Sequence, residues 1–264
     1  MQHVPHEGPG RIVPVFRDFG IPTEVRHLYK GDEVPTDLDE LRVLVVLGGP
    51  MGVSDIGGEK YPFLAKEVET LKRLVAADRA VLGICLGAQL LAHAAGAKVY
   101  PNIKPGPTPD APGTPVPELG WGGVTFPFPG GTEPIVYGTT DGAPMFHWHF
   151  DTFDLPKLPP PPNAPPPPAP PPPSGNALLS SSKLCKNQAF RFKTRLFGFQ
   201  YHVELTRSDV EAIVAAGRQD PKIQSVLGAD GERKIREDTE KYYNRYARLG
   251  DRVLGNFVQF LKVY

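Results

Sequence analysis

Cysteine is scarce in this chain: among 264 residues only Cys85 and Cys185 are available. A disulfide framework is therefore not the stabilising device, and a reducing cytoplasmic setting is expected. No stretch approaches the roughly 20 consecutive apolar residues that a membrane-spanning helix requires. The N-terminal ten residues are polar and carry no apolar core of a secretory signal. An excess of either charge is missing too, with 29 basic against 29 acidic side chains. Phosphate-binding proteins normally carry a basic surplus or patch, so nucleic acid is not an expected partner. These absences leave a soluble α/β protein whose hydrophobic fraction of 40% is enough to bury a sizeable core.

Proline is the abundant exception, at 32 residues. It concentrates near 103–117 and 157–173, and Pro156 to Pro173 alone holds thirteen. Such runs cannot supply the backbone donors of a helix or sheet, so they read as loop insertions, the second of them polyproline II or irregular. Around them, the pattern alternates. Met1–Val4 reads as the tail of a first strand, Arg11–Phe19 as a helix carrying Pro14 inside it, and Thr23–Leu28 as a strand. Arg42–Leu47 is a nearly continuous apolar run, the mark of a strand covered on both faces. Tyr61–Ala77 has helical apolar spacing, Ala80–Ile84 is a short buried strand, and Leu86–Ala95 is a helix ending at Gly96. Strands are expected at Gly122–Phe128, Pro144–His149, Ala177–Ser180, Gln188–Phe192 and Leu196–Tyr201. Helices follow at Ser208–Ala216, Glu232–Arg248 and Gly250–Leu261. The alternation predicts one domain over 1–264, built on a doubly wound, mostly parallel α/β sheet flanked by helices, with a smaller antiparallel sheet. Sites in such sheets gather beyond the carboxyl ends of the strands.

The sharpest local signal sits at such a strand end. Gly83-Ile84-Cys85-Leu86-Gly87 has the form of a nucleophile elbow with sulfur in place of a hydroxyl. A tight turn lifts the side chain above the sheet, and a helix N-terminus favours its thiolate. The Leu86 amide points toward the same spot and can donate to a developing oxyanion. The competing reading is a buried structural cysteine. A thiol of this kind needs a base, and His202, at the end of the Leu196–Tyr201 strand, is the best placed of seven histidines. Glu204 follows it at a spacing that can orient the imidazole. Gly48-Gly49-Pro50, after the strand at 42–47, offers Gly49 as a second oxyanion donor. His147-Trp148-His149 places two imidazoles on one strand face, but no further ligand follows at metal-binding spacing, so no metal is expected. Cys185 has no elbow and carries no assigned role.

These motifs, in this order, resemble the class I glutamine amidotransferases, and most closely the stand-alone members described as GMP-synthase-like. The carriers are LGGPMG at 47–52, GICLGAQLLAHAAG at 83–96 and ELGW at 118–121, then FHWHFDTFDLP at 146–156, LCKNQAFRF at 184–192 and FGFQYHVELT at 197–206. The resemblance implies a flavodoxin-like fold and a thioester mechanism without cofactor. Cys85 would attack the side-chain amide of L-glutamine, with His202 and Glu204 as its activating pair and Gly49 and Leu86 as oxyanion donors. It also implies that Gln89, His149, Asp151, Asn187, Gln188 and Phe190 line the substrate site. Phe150 stands where relatives carry glycine. The chain shows no P-loop and no SGGxDS-type loop, so a synthetase that accepts the ammonia would be a separate protein. Two other readings stay open at this point: a hydrolase for γ-glutamyl compounds using the same thioester, and a silent binding protein that recruits a partner through its polyproline loop.

Overall fold

A computed structural model describes residues 1–39, 41–104, 106, 108, 112–158 and 175–263. The polyproline reading of 157–173 falls almost wholly outside the described residues. In chain order the strands are β1 (Val43–Val46), β2 (Ala80–Ile84), β3 (Val99–Pro101), β4 (Ile103–Lys104), β5 (Thr114–Pro115) and β6 (Glu118–Thr125). They continue as β7 (Ala143–His149), β8 (Asp151–Phe153), β9 (Asn176–Ser182), β10 (Ala189–Phe192) and β11 (Leu196–Phe199). The α-helices are α1 (Ile12–Asp18), α2 (Phe63–Ala76), α3 (Leu86–Ala94), α4 (Arg207–Gly217), α5 (Pro221–Leu227) and α6 (Gly231–Val263).

The α/β class is as expected: a seven-stranded sheet is flanked by helices, and two-stranded antiparallel sheets, β3 with β8 and β4 with β5, stand beside it. The sheet order is β1-β2-β11-β10-β9-β6-β7. β2 pairs in parallel with β1 on one side and β11 on the other. The remaining neighbours, from β11 through β7, run antiparallel. β2 is buried along its whole length, which explains why its sequence carries no polar alternation. One core packs α2 and α3 on one face of the sheet, and another packs α1, α4 and α6 against the other face.

Several boundaries differ from the sequence reading, each for a physical reason. Thr23–Leu28 is not a strand; it meets the N-terminus only at one bridge, Gln2 with His27. Residues 1–3 nevertheless lie along β1, because the Met1 ammonium donates to the Val45 carbonyl at 2.6 Å and the Leu47 N–H donates to Met1 O at 3.1 Å. Pro14 does not break α1. It sits in the first turn, where its missing N–H would have had no helical acceptor. The two C-terminal helices are one, and Gly250 lies inside α6 rather than between helices. A Cβ at Gly250 would lie 2.1 Å from the Val203 carbonyl oxygen and 2.3 Å from Arg11 Nη2. The glycine thus permits close approach rather than a chain break.

The close packing at Gly250 bears on the backbone just after His202. Arg11 Nη2 donates to Val203 O at 2.7 Å, its Nη1 donates to Leu205 O, and its Nε pairs with Asp251 of α6 at 2.7 Å. The Leu205 N–H donates to the buried Tyr246 hydroxyl of α6 at 2.9 Å. The segment 203–205 is therefore tied to both α1 and α6. In an open helix interior, glycine to alanine gains about 1 kcal/mol. At Gly250 the sign should reverse: Gly250→Ala is expected to lose about 1–3 kcal/mol by overpacking, measured by urea unfolding. A gain in stability would contradict this packing.

Candidate active site

Cys85 stands between the last residue of β2 and the first of α3, at φ 54° and ψ −111°. This backbone conformation is rare for a residue with a side chain and costs on the order of 1–3 kcal/mol. Its surroundings hold it there. The Cys85 N–H donates to Phe199 O at 2.8 Å, and its carbonyl accepts from the N–H groups of Ala88 and Gln89 at 3.0 and 3.2 Å. Both flanking glycines are required by contact. A Cβ on Gly87 would sit 2.0 Å from the Val46 carbonyl oxygen, and one on Gly83 would sit 2.5 Å from that of Gly87. The two glycines let β1, β2 and α3 close around the turn.

His202 lies just beyond β11 and is held by donating its N–H to Phe146 O at 2.9 Å. Its Nδ1 lies 2.7 Å from Glu204 Oε1, and Glu204 Oε2 accepts the Val203 N–H at 2.8 Å. With Nδ1 engaged by the carboxylate, Nε2 is the nitrogen left for chemistry. It makes no hydrogen bond of good geometry, yet it couples to the Cys85 thiol, each group shifting the other's proton affinity. The Cys85 Sγ itself is directed at the Trp148 carbonyl oxygen, 3.6 Å away. Burial opposes the imidazolium of His202, but Glu204 overrides it, and the Cys85 interaction adds to the rise. Burial also pushes the Cys85 thiol up, while His202 and the Leu86 N–H pull it back toward thiolate. Gly49 packs against the same turn, since a Cβ there would lie 3.2 Å from Leu86 Cδ2.

The other residues singled out from sequence divide into two groups. Gln89 is near the sulfur: its Nε2 donates to Gln200 Oε1 at 3.1 Å, and Gln200 Nε2 reaches Cys85 Sγ at 3.8 Å. Asp151 is half-buried, with Oδ2 3.7 Å from where a Gly52 Cβ would stand. The remaining four make scaffold contacts, with Gln188 Oε1 and His149 Nε2 left without a hydrogen-bond partner. Asn187 Nδ2 donates to Phe153 O at 2.7 Å, and Gln188 Nε2 donates to Glu118 and Ser182. Phe190 is fully buried against Phe153 and directly over Gly198. His149 Nδ1 donates to Asp151 O at 2.9 Å, while Nε2 lies 3.2 Å from Glu118 Oε2. Phe150, at the strand end beside them, is capped by the Lys222 ammonium of α5, 4.0 Å from the ring centroid.

Glu118, His147 and His149 bring three ligand-type atoms within 4.8 Å of one another. The sequence reading sought a further ligand after His149; the sheet instead supplies Glu118 from the neighbouring strand, directly opposite His149. The Glu118 oxygens are already engaged by Ser182 Oγ, at 2.7 Å, and by Gln188 Nε2. Burial holds His147 down to about 4, so its ring is neutral.

Three residues close to the elbow escaped the sequence reading. Gln200 is one. Glu7 is another: fully buried, it would lie 2.0 Å through Oε2 from a Cβ on Gly48, with His202 Cε1 3.1 Å from the same point. Burial pushes the Glu7 carboxyl up, and Glu204 adds to this while His202 opposes it. His3 is the third, and contacts the Gly48 carbonyl. The local signal for all three is weak, because none lies in a turn or periodic pattern that demands a polar side chain. A cavity of about 760 Å³ lies elsewhere, between α1 and β1, and contains none of these groups.

With this geometry in place, the comparisons with known proteins are direct. Residues 11–215 match the family Glutamine amidotransferase class-I, and the chain belongs to that family. It is 26% identical over 253 residues to the glutamine amidotransferase-like protein YfeJ of Salmonella typhimurium, covering 95% of this chain and 91% of that one. Over 96 residues, 36% of the chain, it is 35% identical to the glutamine amidotransferase-like protein L716 of Acanthamoeba polyphaga mimivirus. Among solved structures it resembles a glutamine amidotransferase from Thermotoga maritima, with a TM-score of 0.75 and 25% identity, covering 98% of this chain and 96% of that one. No helix among the described residues is long and apolar enough to cross a membrane.

The His202–Glu204 contact has a pH signature. Glu204 raises the folded value of His202 above its ordinary 6.5, so the stability it adds is fully present below that value. It is lost as pH rises through the folded value. Urea unfolding of Glu204→Gln is therefore expected to show a larger deficit at pH 6 than at pH 9. A deficit independent of pH would mean that the carboxylate does not hold the imidazolium.

Proposed function

We propose that this protein hydrolyses the side-chain amide of L-glutamine through a thioester on Cys85, releasing glutamate and ammonia. The observation that carries the reading is the His202 ring: Nδ1 is bound to Glu204 at 2.7 Å, while Nε2 has no hydrogen-bond partner and the ring interacts with the Cys85 thiol. The Cys85 proton passes to His202 Nε2, and the sulfur attacks the γ-carboxamide carbon. The resulting oxyanion takes hydrogen bonds from the backbone N–H groups of Gly49 and Leu86. His202 returns the proton to the departing nitrogen, and ammonia leaves as the thioester forms. Water, activated by the same imidazole, then cleaves the thioester to glutamate and frees the thiol.

Glu204 keeps the imidazole in the tautomer this cycle needs. Gln89 and Gln200, joined to each other beside the sulfur, form one polar wall of the pocket, with Asp151 at its rim. His149, Asn187, Gln188 and Phe190 act mainly by holding that wall, since each side chain makes a scaffold contact. Any synthetase that accepts the ammonia is a separate protein, and the proposed place of action is the cytoplasm.

The test measures glutamate and ammonia released from glutamine. Slow basal turnover is expected in the wild type and none in Cys85→Ala, whereas His202→Ala should fall by about 10²–10⁴-fold, the usual worth of general acid–base help. Equal turnover in wild type and Cys85→Ala would refute the assignment. Faster turnover of γ-glutamyl peptides than of glutamine would move the substrate to that class while leaving the thioester chemistry in place.

A further inference from the structure

The N-terminal segment contains a buried ion pair that the thioester cycle does not use. His3 and Glu67 both have fully buried side chains and meet at 3.0 Å, through His3 Nε2 and Glu67 Oε2. Glu67 lies on the inward stripe of α2, among Leu64, Val68 and Leu71. A glutamate in that stripe is costly unless its charge is matched. The other nitrogen of the ring, Nδ1, lies 3.0 Å from the carbonyl oxygen of Gly48. A carbonyl can only accept, so Nδ1 must be the donor; a carboxylate also accepts, so Nε2 must donate as well. With Glu67 ionised, only the doubly protonated ring satisfies both contacts. Burial works against that charge and Glu67 supports it, with the net direction upward. Two other ionisable groups bear on the ring: the Met1 ammonium, which opposes its charge, and the Glu7 carboxyl, which interacts with it.

The contact falls on a peptide whose orientation matters. The unit joining Gly48 to Gly49 is planar and trans, so its C=O and N–H point in opposite directions. Fixing the Gly48 oxygen against His3 therefore fixes the direction of the Gly49 N–H. Neither residue has a side chain to resist rotation of this unit, and glycine is the residue most prone to such flips. The Gly49 Cα also rests against His3, with a would-be Cβ 3.2 Å from the Cβ of His3.

We propose that the buried His3–Glu67 pair is a positioning clamp that holds the Gly48–Gly49 peptide with its N–H turned toward the Cys85 pocket, so that it is ready to stabilise the oxyanion. This rests on the amidotransferase reading for its catalytic meaning. His3 touches no reacting atom; it acts through the loop. Glu67 holds the ring charged and fixes its plane, in the way a carboxylate orients a histidine in a catalytic pair.

The clamp makes a selective demand. Attack on an amide passes through an oxyanion, whereas alkylation of a thiol by iodoacetamide displaces iodide and forms none. His3→Ala is therefore expected to lower kcat for glutamine by about 10²–10³, the cost of one misplaced oxyanion donor, with little change in KM. Its Cys85 alkylation rate with iodoacetamide should match the wild type, and Glu67→Gln should show the same split. Parallel loss of both reactions would indicate general damage and overturn the proposal, as would wild-type kcat in His3→Ala. A second measurement needs no variant activity: ¹⁵N NMR of the full-length wild type at pH 7 should show both His3 ring nitrogens protonated. A neutral ring with a bare Nδ1 would overturn the clamp even where His3→Ala fails to fold. A wild type that does not hydrolyse glutamine would fault the amidotransferase reading instead, and the NMR result would still decide whether the clamp exists.

Discussion

The molecule is organised around a cysteine backbone that no isolated peptide would choose. At φ 54° and ψ −111°, the Cys85 turn is strained and has to be held by what surrounds it. β2 supplies the rigid base because it is buried throughout and paired in parallel on both sides. α3 supplies the cover, with Gly87 against the Val46 carbonyl and Gly83 against Gly87 itself. The hydrophobic burial of α2 and α3 on that face offsets the local strain, which is modest beside the area removed from water. A site on the sheet's central parallel strand is also a precise one, since few soft torsions separate it from the core.

The second feature is a repeated solution to one electrostatic problem. Three imidazoles with almost no access to solvent are each set against a carboxylate: His202 with Glu204, His3 with Glu67, and His149 with Glu118. Each pair bridges pieces of backbone that must stay in register. His202 and Glu204 define the segment beyond β11, His149 and Glu118 join β7 to β6, and His3 and Glu67 bind the N-terminus to α2. Breaking such a pair leaves a buried charge uncompensated, so each acts as a strong geometric constraint even where its net stabilisation is small. Arg11 extends the pattern, fastening two carbonyls of 203–205 while its charge meets Asp251 and the Tyr246 ring. The long α6 helix is thereby coupled to the placement of His202, although it contributes no side chain to the pocket.

Burial has a consequence for reactivity. The thiol and the imidazole are both enclosed, so the thiol resists ionisation more than an exposed cysteine would. The helix N-terminus, the Leu86 N–H and the His202 ring work against that resistance. Such a balance does not favour a permanently exposed thiolate open to oxidation. Cys185 sits in the opposite situation. It is buried beside Thr152 at 3.2 Å, with its thiol pushed up to about 11 by burial and no cation among the described residues acting on it to draw out the proton.

Much of this was written in the chain by itself. The elbow glycines, the unbroken apolar run of β1 and β2, and the pairing of His202 with Glu204 two residues apart are local patterns, and local sterics and periodicity make them legible. So was the distinction between Cys85 and Cys185. What the chain could not disclose were contacts set by sheet register and by surface closure: Glu118 meeting His149 from another strand, and Glu7 and His3 arriving beside Gly48 from the N-terminus. The expectation of two C-terminal helices, the second starting at Gly250, failed for the same cause, since that glycine serves a carbonyl 47 positions earlier in the chain, at Val203. Backbone propensity and apolar spacing act over a few residues and are encoded where they act. Long-range polar pairs depend on which surfaces meet, and only the packed tertiary structure decides that.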